Sequence, residues 1–267
     1  MKQEVLRRAY KMHGAGNDFV VLIGSGEDDA DGMATAALQL CDRHRSIGAD
    51  GLVWVDVSAL PKLAQVRVWN PDGSVVGMCL NAARCVVVLL SRLFDIAEIQ
   101  LRFGHVSIDA WVVPGGARLQ FSLQSPEGGD VAATEIGPHA WFVNLADPHV
   151  VIDWRAASTV HEAPLANIAA THAAGGGFSD RPSNCHLVAR DDGSEHHRIR
   201  SFERRVEAET LACGSGCVAS YLALSLEGEQ VFLTTSGDRI QLSRAQSCWS
   251  LEGPALMVFH TDIHPPA

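Results

Sequence analysis

The sequence predicts a mixed, strand-rich protein of the α/β (α+β) class, built from two similar halves. Short β-type runs outnumber helical patterns, and turns rich in Gly, Pro and Asp separate them. An internal repeat relates the first part of the chain to the second. The chain has 267 residues, enough for two medium domains that each bury a core.

The predicted elements follow from hydrophobic periodicity. Alternating apolar runs predict strands over Asp18–Ile23, Gly51–Val57, Gln65–Trp69, His105–Val113 and Leu119–Leu123. Apolar residues at helical spacing predict helices over Asp31–Asp42, Asn81–Leu93 and Gly216–Leu226. The Gly/Pro-rich stretch Gln124–Asp130 predicts the boundary between the halves, and Gly175–Gly177 predicts a loop tip.

Two segments recur at a spacing close to half the chain. Residues 17–22 (NDFVVL) resemble residues 147–152 (DPHVVI). Residues 67–70 lead after a turn to Cys79 and an apolar helix, and residues 200–203 lead in the same way to Cys213. Chance similarity of short strands is an alternative for either pair alone. Two pairs in the same order favour duplication.

Charge and composition favour a small-molecule ligand. The net charge of -10 and a pI of about 5.6, without a dense Lys/Arg stripe, argue against nucleic acid or an anionic membrane as partner. The amino terminus lacks a signal-peptide core and no apolar run is long enough to span a bilayer, so we expect a cytoplasmic protein. Lys2, Lys11 and Lys62 are the only candidates for a pyridoxal-phosphate Schiff base.

Two of the cysteines stand at positions that favour reactivity. Cys79 and Cys213 each precede a predicted helix, where the positive end of the helix dipole and unpaired N–H groups favour a thiolate. The same N–H groups can hold a substrate carboxylate. If one thiolate removes an α-proton while a thiol on the opposite face delivers another, the stereocentre inverts without a cofactor.

The other cysteines have simpler interpretations. The chain has seven cysteines and no CxxC pair, which fits free thiols better than a disulfide framework. We expect the remaining five to be small core residues: Cys41, Cys85, Cys185, Cys217 and Cys248. A zinc site combining the two helix-capping cysteines with Cys85 and Cys217 is an alternative. Its spacings match no common zinc pattern, so we expect no metal.

A series of motifs, in order over essentially the whole chain, resembles the diaminopimelate epimerase family. They are Lys11–Val20, Asp42–Gly51, Asn70–Ser74, Met78–Cys85, Asp147–His149 and Glu209–Gly216. The resemblance implies two pseudo-symmetric, barrel-like halves, each around a central helix: residues 1–124 plus 256–267, and residues 125–255. It implies interconversion of LL- and meso-diaminopimelate in lysine biosynthesis, with no pyridoxal phosphate and no metal. A homodimer is a compatible assembly.

The resemblance also implies roles for individual residues. Cys79 and Cys213 match the catalytic pair, and His149 and Glu203 match polar neighbours that tune the thiols. The backbone N–H groups that would cradle the α-carboxylate are those of Leu80, Asn81, Gly214 and Ser215. The side chains that would fix the substrate, chiefly its distal end, are Asn17, Asn70, Asn184 and Arg204. From the residues alone, His149 could equally be a turn histidine and Arg204 a solvated surface charge.

Several positions depart from the family pattern. Leu80 and Ala82 replace glycines, Asp147 replaces a substrate-binding asparagine, and Gly51 replaces a glutamine. The Asp147 carboxylate would repel a substrate carboxylate or attract an ammonium group. A racemase of the same fold acting on a different amino acid is therefore an alternative, and so is a non-catalytic ligand-binding relative. The matched pair of thiols argues against the latter.

Overall fold

The computed structural model describes residues 7–26, 30–124, 130–145, 147–154, 160–172, 177, 182–190, 196–204 and 206–263. The first part of the chain forms these strands: β1 Arg7–Gly14, β2 Asn17–Gly24, β3 Gly51–Asp56, β4 Leu63–Trp69, β5 Val75–Val76, β6 Glu98–Phe103, β7 Val106–Val113 and β8 Gly116–Ser122. It also forms two helices, α1 Ala30–Leu40 and α2 Leu80–Phe94.

The second part repeats this order. Its strands are β9 Ala133–Gly137, β10 Ala140–Asn144, β11 Pro148–Asp153, β12 Asn184–Arg190, β13 His196–Glu203, β14 Ala208–Thr210, β15 Gln230–Leu233, β16 Arg239–Ala245, β17 Cys248–Pro254 and β18 Leu256–Ile263. Its helices are α3 Leu165–Thr171 and α4 Gly214–Ala223. The mixed, strand-rich fold class predicted from the sequence is confirmed.

The strand pairing is duplicated. The parallel pair β2–β3 corresponds to β11–β12, and the antiparallel pair β3–β4 corresponds to β12–β13. The parallel pair β4–β6 likewise corresponds to β13–β15. Strands β8 and β17, which end the two series, pair with each other, and β18 returns to pair with β1. Because the registers match, residues in these paired strands have structural counterparts in the other series.

Helices α2 and α4 lie in the main hydrophobic core. This core contains buried residues from both helices, such as Val86 and Val218, together with the inward faces of strands from both series. Two smaller clusters lie elsewhere, one containing α1 residues and the other containing α3 residues. The polypeptide therefore buries two helices in one core, and their N-termini come together.

Most predicted elements have counterparts with shifted ends. Helices α2 and α4 begin one and two residues earlier than expected, so each starts directly after its cysteine. Helix α3 has no predicted counterpart, because seven residues are too few for a clear helical period. The predicted boundary at Gln124–Asp130 and the glycine-rich Gly175–Gly177 lie mostly outside the described residues. The limits of the two halves stay a prediction.

One expectation about the cysteines is wrong. Cys248 is exposed rather than part of the core. It is the first residue of β17, next to a tight hairpin in which it pairs with Ala245. Side chains alternate between the two faces of this strand, so Trp249 is buried and Cys248 faces solvent. The other four expected core cysteines are buried, and all seven are free thiols.

Within the described residues, no helix combines the length and apolar character that crossing a bilayer would require.

Candidate active site

Cys79 and Cys213 are the N-cap residues of α2 and α4. Both have an extended backbone, with φ -136° and ψ 110° at Cys79 and φ -131° and ψ 107° at Cys213. Each sulfur accepts a hydrogen bond from the N–H three residues later, at 3.4 Å from Ala82 and 3.4 Å from Gly216. The two sulfurs therefore lie at the positive ends of helix dipoles in closely similar local geometry.

The first turns of the two helices contact each other. A Cβ built on Gly214, the first residue of α4, would lie 3.0 Å from the Cβ of Leu80, the first residue of α2. Asn81 joins the two helix ends, because its Nδ2 donates to the carbonyl of Ala212 at 2.9 Å. Ala212 immediately precedes Cys213, so this bond connects one N-cap to the other.

A cavity of about 60 Å³ lies at this junction. Both cysteines line it, and so does Glu203, which is expected to tune the thiols. The lining also includes most of the residues expected to bind substrate: Asn17, Asn70, Leu80, Asn81, Asp147, Asn184, Gly214 and Ser215. The sequence did not single out the rest of the lining: Phe19, Asp50, Val68, Val76, Met78 and Val206. Phe19 and Asp50 stand inside the family motifs, and strand alternation places Phe19 on the same face as Asn17.

Arg204 is not part of this lining, although Glu203 beside it is. Its backbone N–H donates to Asn184 Oδ1 at 3.1 Å, and its Nη1 lies 3.4 Å from Glu207 Oε2. Its Nε is buried and has no hydrogen-bond partner among the residues that the structure describes. The guanidinium therefore keeps a donor available near the cavity.

His149 is also absent from the lining, and its side chain is fully buried. Its Nδ1 lies 2.8 Å from Nε2 of His186, a residue that sequence reasoning missed. Burial lowers the pKa of His149 to about 3, so the imidazole is neutral at physiological pH. Its expected role beside the thiols stays a prediction.

A chain of amides fixes the cavity floor. Asn81 Nδ2 donates to Asn17 Oδ1 at 3.0 Å, and Asn17 Nδ2 donates to Asp50 Oδ2 at 2.8 Å. The fully buried Arg84 donates from Nη2 to Asn81 Oδ1 at 2.9 Å. Because the Asn81 amide uses both N–H groups and its oxygen within the protein, only its backbone N–H is left for a ligand.

Two carboxylates beyond this chain have opposite pKa shifts. Burial raises the pKa of Asp50, and the negative charge of Asp18 adds to the effect. Burial acts in the same direction on Asp18, but hydrogen bonds from Arg43 and Lys11 outweigh it and lower its pKa to about 2. Asp18 therefore loses its proton at a lower pH than Asp50.

Glu203 is a carboxyl group whose charge affects the pKa of both thiols. Burial raises its pKa to about 7, against hydrogen bonds from Thr210 and from the Cys213 thiol. Thr210 donates to Glu203 Oε1 at 2.5 Å. A carboxyl group with this pKa exchanges its proton readily near neutral pH.

Both thiols are weaker acids than a free cysteine. Burial raises the pKa of Cys79 to about 11, partly offset by the Ala82 N–H and increased by the charge of Glu203. Burial raises the pKa of Cys213 well above its ordinary value, and Glu203 is the second cause. The negative charge of Glu203 therefore disfavours the thiolate form of both sulfurs.

Comparison with known proteins agrees with this fold. A PhzF-family phenazine biosynthesis protein of Enterococcus faecalis superimposes with a TM-score of 0.72 over 97% of this chain and 99% of that chain, at 12% identity. A hydroxyproline epimerase from Agrobacterium vitis gives 0.65 over 100% and 95%, at 13% identity. At such identities these structures show the fold alone.

Sequence comparison extends this to the enzyme class, and the protein is an isomerase of the racemase and epimerase type. Residues 9–107 match the family model for diaminopimelate epimerase. The diaminopimelate epimerase of Xanthomonas euvesicatoria is 32% identical over 276 aligned positions, which cover 94% of each chain. The chain belongs to the diaminopimelate epimerase family.

Proposed function

We propose that the protein is a diaminopimelate epimerase of lysine biosynthesis that inverts one α-carbon with Cys79 and Cys213. The observation that carries the proposal is the pair of similar cysteine N-caps at a single cavity. This arrangement supports one sulfur on each face of a bound α-carbon. The reaction needs neither pyridoxal phosphate nor a metal, because both proton transfers use the protein's own thiols.

The α-carboxylate would bind at the two helix N-termini. The backbone N–H groups of Leu80, Asn81, Gly214 and Ser215 belong to the first turns of α2 and α4, where no intrahelical carbonyl accepts them. Negative charge that develops during proton removal spreads into this carboxylate. The same N–H groups and the two helix dipoles would stabilise it.

The proposed proton transfers use one thiolate and one thiol. The Cys79 thiolate takes the α-proton, and the C–H electron pair passes to the carbon and its carboxylate. The Cys213 thiol then protonates the opposite face and becomes a thiolate. Glu203 keeps Cys213 protonated beforehand, because its carboxylate accepts a hydrogen bond from that thiol and disfavours the thiolate. The reverse reaction uses the exchanged protonation states.

The distal end of the substrate would bind Asn70, Asn184 and Arg204. The unpartnered Nε of Arg204 and the planarity of its guanidinium suit a carboxylate. Asp147 in the lining suits an ammonium group. Together these groups match a second amino-acid head, which a simple amino acid lacks.

A racemase acting on another amino acid is the second candidate. Two observations favour it: Leu80 rather than glycine begins α2, and Asp147 lines the cavity where the family has asparagine. Each changes the surroundings of the bound substrate. The two candidates predict exchange of the α-hydrogen in different compounds.

Solvent exchange separates these candidates. Reduced protein is incubated in D₂O with LL-diaminopimelate, and α-deuterium and the meso isomer are followed by NMR and chiral chromatography. We expect both to form. Exchange only with another compound in a panel of amino acids would support the second candidate. Exchange with no compound would contradict both and leave a ligand-binding protein. The Cys79→Ala, Cys213→Ala double variant is the control for non-enzymatic exchange.

A further inference from the structure

A buried chain of three polar side chains lies beneath α4. His149 Nδ1 is 2.8 Å from His186 Nε2, and His186 Nδ1 is 2.9 Å from Ser201 Oγ. The residues come from the adjacent strands β11, β12 and β13, where His186 and Ser201 are direct cross-strand partners. Both imidazoles are fully buried and Ser201 is nearly so.

Neither histidine carries a charge in this environment. Burial lowers the pKa of His186 well below its ordinary value, as it does for His149. Each neutral imidazole has one N–H and one acceptor nitrogen. The chain can therefore run in only two directions, and the two differ in which nitrogen of His149 is protonated.

Counting unsatisfied atoms distinguishes the two directions. If Ser201 donates to His186 and His186 donates to His149, one group of the three side chains lacks a partner among the described residues, the Nε2–H of His149. In the opposite direction two groups lack one there, the Ser201 hydroxyl hydrogen and the Nε2 lone pair. Nε2 has no partner among the described residues in either case. Because unsatisfied buried polar atoms are costly, the first direction is favoured.

The chain also contacts the helix end that holds Cys213. A Cβ built on Gly216 would lie 2.4 Å from Cε1 of His186, so only glycine accommodates this ring. The N–H of Gly216 donates to the Cys213 sulfur. His149 pairs in register with Asn184, which lines the cavity, and its counterpart in the first series, Phe19, lines it too. His186 thus packs against the first turn of α4, and His149 lies beside a strand residue that lines the cavity.

We propose that His186 and Ser201 are positioning residues that hold His149 as the Nε2–H tautomer, a hydrogen-bond donor on the Cys213 side of the site rather than a base. A neutral donor there stabilises an anion, either the Cys213 thiolate or the substrate carboxylate. The kinetic part of this inference rests on the proposed function. The tautomer does not, because it belongs to the free protein.

Histidine ¹⁵N spectra of the free protein test the tautomer directly. Long-range ¹H–¹⁵N correlations assign which nitrogen of His149 is protonated, with His149→Gln identifying its resonances. We expect a protonated Nε2 in the wild type and in Ser201→Thr. Ser201→Val has nearly the same shape as Ser201→Thr but lacks the hydroxyl, so both directions leave two unsatisfied atoms. We expect it to show both tautomers.

Turnover by the same variants tests the role in catalysis. We expect Ser201→Val to lower kcat about tenfold with little change in KM, and Ser201→Thr to restore it, since one neutral hydrogen bond is lost and regained. A wild-type His149 protonated on Nδ1 would overturn the proposal, even if Ser201→Val fails to fold. So would a Ser201→Val protein with unchanged kcat. If no substrate is turned over, the proposed function fails while the tautomer result stands.

Discussion

The helix ends that carry Cys79 and Cys213 are alike in backbone and unlike in surroundings. Their N-cap dihedral angles agree within a few degrees, and both sulfurs accept the same type of N–H bond. The next residue is Leu80 in one and Gly214 in the other. Leu80 is almost fully buried, so a core side chain stands where the other helix has none.

The strands beneath the two helices differ more. The three polar residues of the buried chain have apolar counterparts in the first series. By strand register, Phe19 corresponds to His149, Val53 to His186 and Val68 to Ser201. The same register sets Asn70 against Glu203. The strands beneath α4 therefore carry buried polar groups at positions where the first series is apolar.

This difference separates two contributions to the site. The duplicated strand order supplies two equivalent N-caps, which give a pair of sulfurs similar access to the dipole. The substitutions within that order give the two sulfurs different surroundings. A reversible two-base reaction needs both features, since the reacting thiols must begin with different protonation states.

Removal of either sulfur should have the largest effect. We expect Cys79→Ala and Cys213→Ala each to lower the rate of inversion by about 10² to 10⁴, because each removes one of two proton-transfer groups. The rate is measured as formation of the second stereoisomer. Cys248→Ser removes an exposed thiol distant from the cavity lining and should retain activity. A single alanine variant that inverts substrate at the wild-type rate would disprove equivalent roles for the two N-caps.

Making the two helix ends identical should reduce stability. Leu80→Gly deletes a buried side chain of the main core, which we expect to lower the free energy of unfolding by about 2–5 kcal/mol. Urea denaturation measures the change. Leu80→Met retains the volume and should lose less than about 1.5 kcal/mol. If Leu80→Gly were as stable as the wild type, packing of the Leu80 side chain into the core would not contribute to stability.

Glu203→Gln should reduce the difference between the two thiols. The variant keeps the shape but loses the charge that raises the pKa of Cys213, so that pKa should fall. The wild-type rate with Cys79 as base should rise as pH increases through about 7, where Glu203 ionises. In Glu203→Gln this inflection should disappear and the rate should fall about 10²-fold.

The pH–rate profile and the absorbance of thiolates near 240 nm measure these two effects. Asn70→Asp is the matched control, since it changes the counterpart of Glu203 beside the other cysteine. An unchanged inflection in Glu203→Gln would assign the pH dependence to another group. If the inflection moved only in Asn70→Asp, the pH dependence would have to be assigned to the Cys79 side of the site rather than to the Cys213 side.

Much of this architecture could be predicted because it depends on short-range patterns. Alternation predicted most strands in the first series, and a cysteine directly before an apolar helical run predicted both N-caps. The repeat predicted that the caps are equivalent. Leu80 was recognised as a departure, but its packing into the core depends on contacts between elements, which no local pattern contains.

The buried polar chain could not be predicted for a similar reason. His149 and His186 are 37 residues apart, and His186 and Ser201 are 15 apart, so only the sheet register brings them together. An isolated histidine in an apolar strand gives no indication of its partner. The exposure of Cys248 could not be predicted from its residue type either. It depends on which face of β17 the side chain occupies.

A double-mutant cycle tests the contact between Gly216 and His186, which differs from its counterpart in the first series. Gly216 of α4 corresponds to Ala82 of α2, and His186 of β12 corresponds to Val53 of β3. A large ring against glycine in one series thus replaces a smaller side chain against alanine in the other. We expect Gly216→Ala alone to destabilise by about 1–3 kcal/mol, because the new Cβ overlaps His186.

In the His186→Val background the same substitution should become neutral or stabilising, since alanine is about 1 kcal/mol better than glycine within a helix. Urea denaturation of the four proteins gives the coupling energy, expected within about 0.5–3 kcal/mol. Additive effects on the free energy of unfolding would show that the side chains at positions 216 and 186 do not compete for the same space. A change of sign would show that glycine is required at 216 by the histidine and not by the backbone of the N-cap.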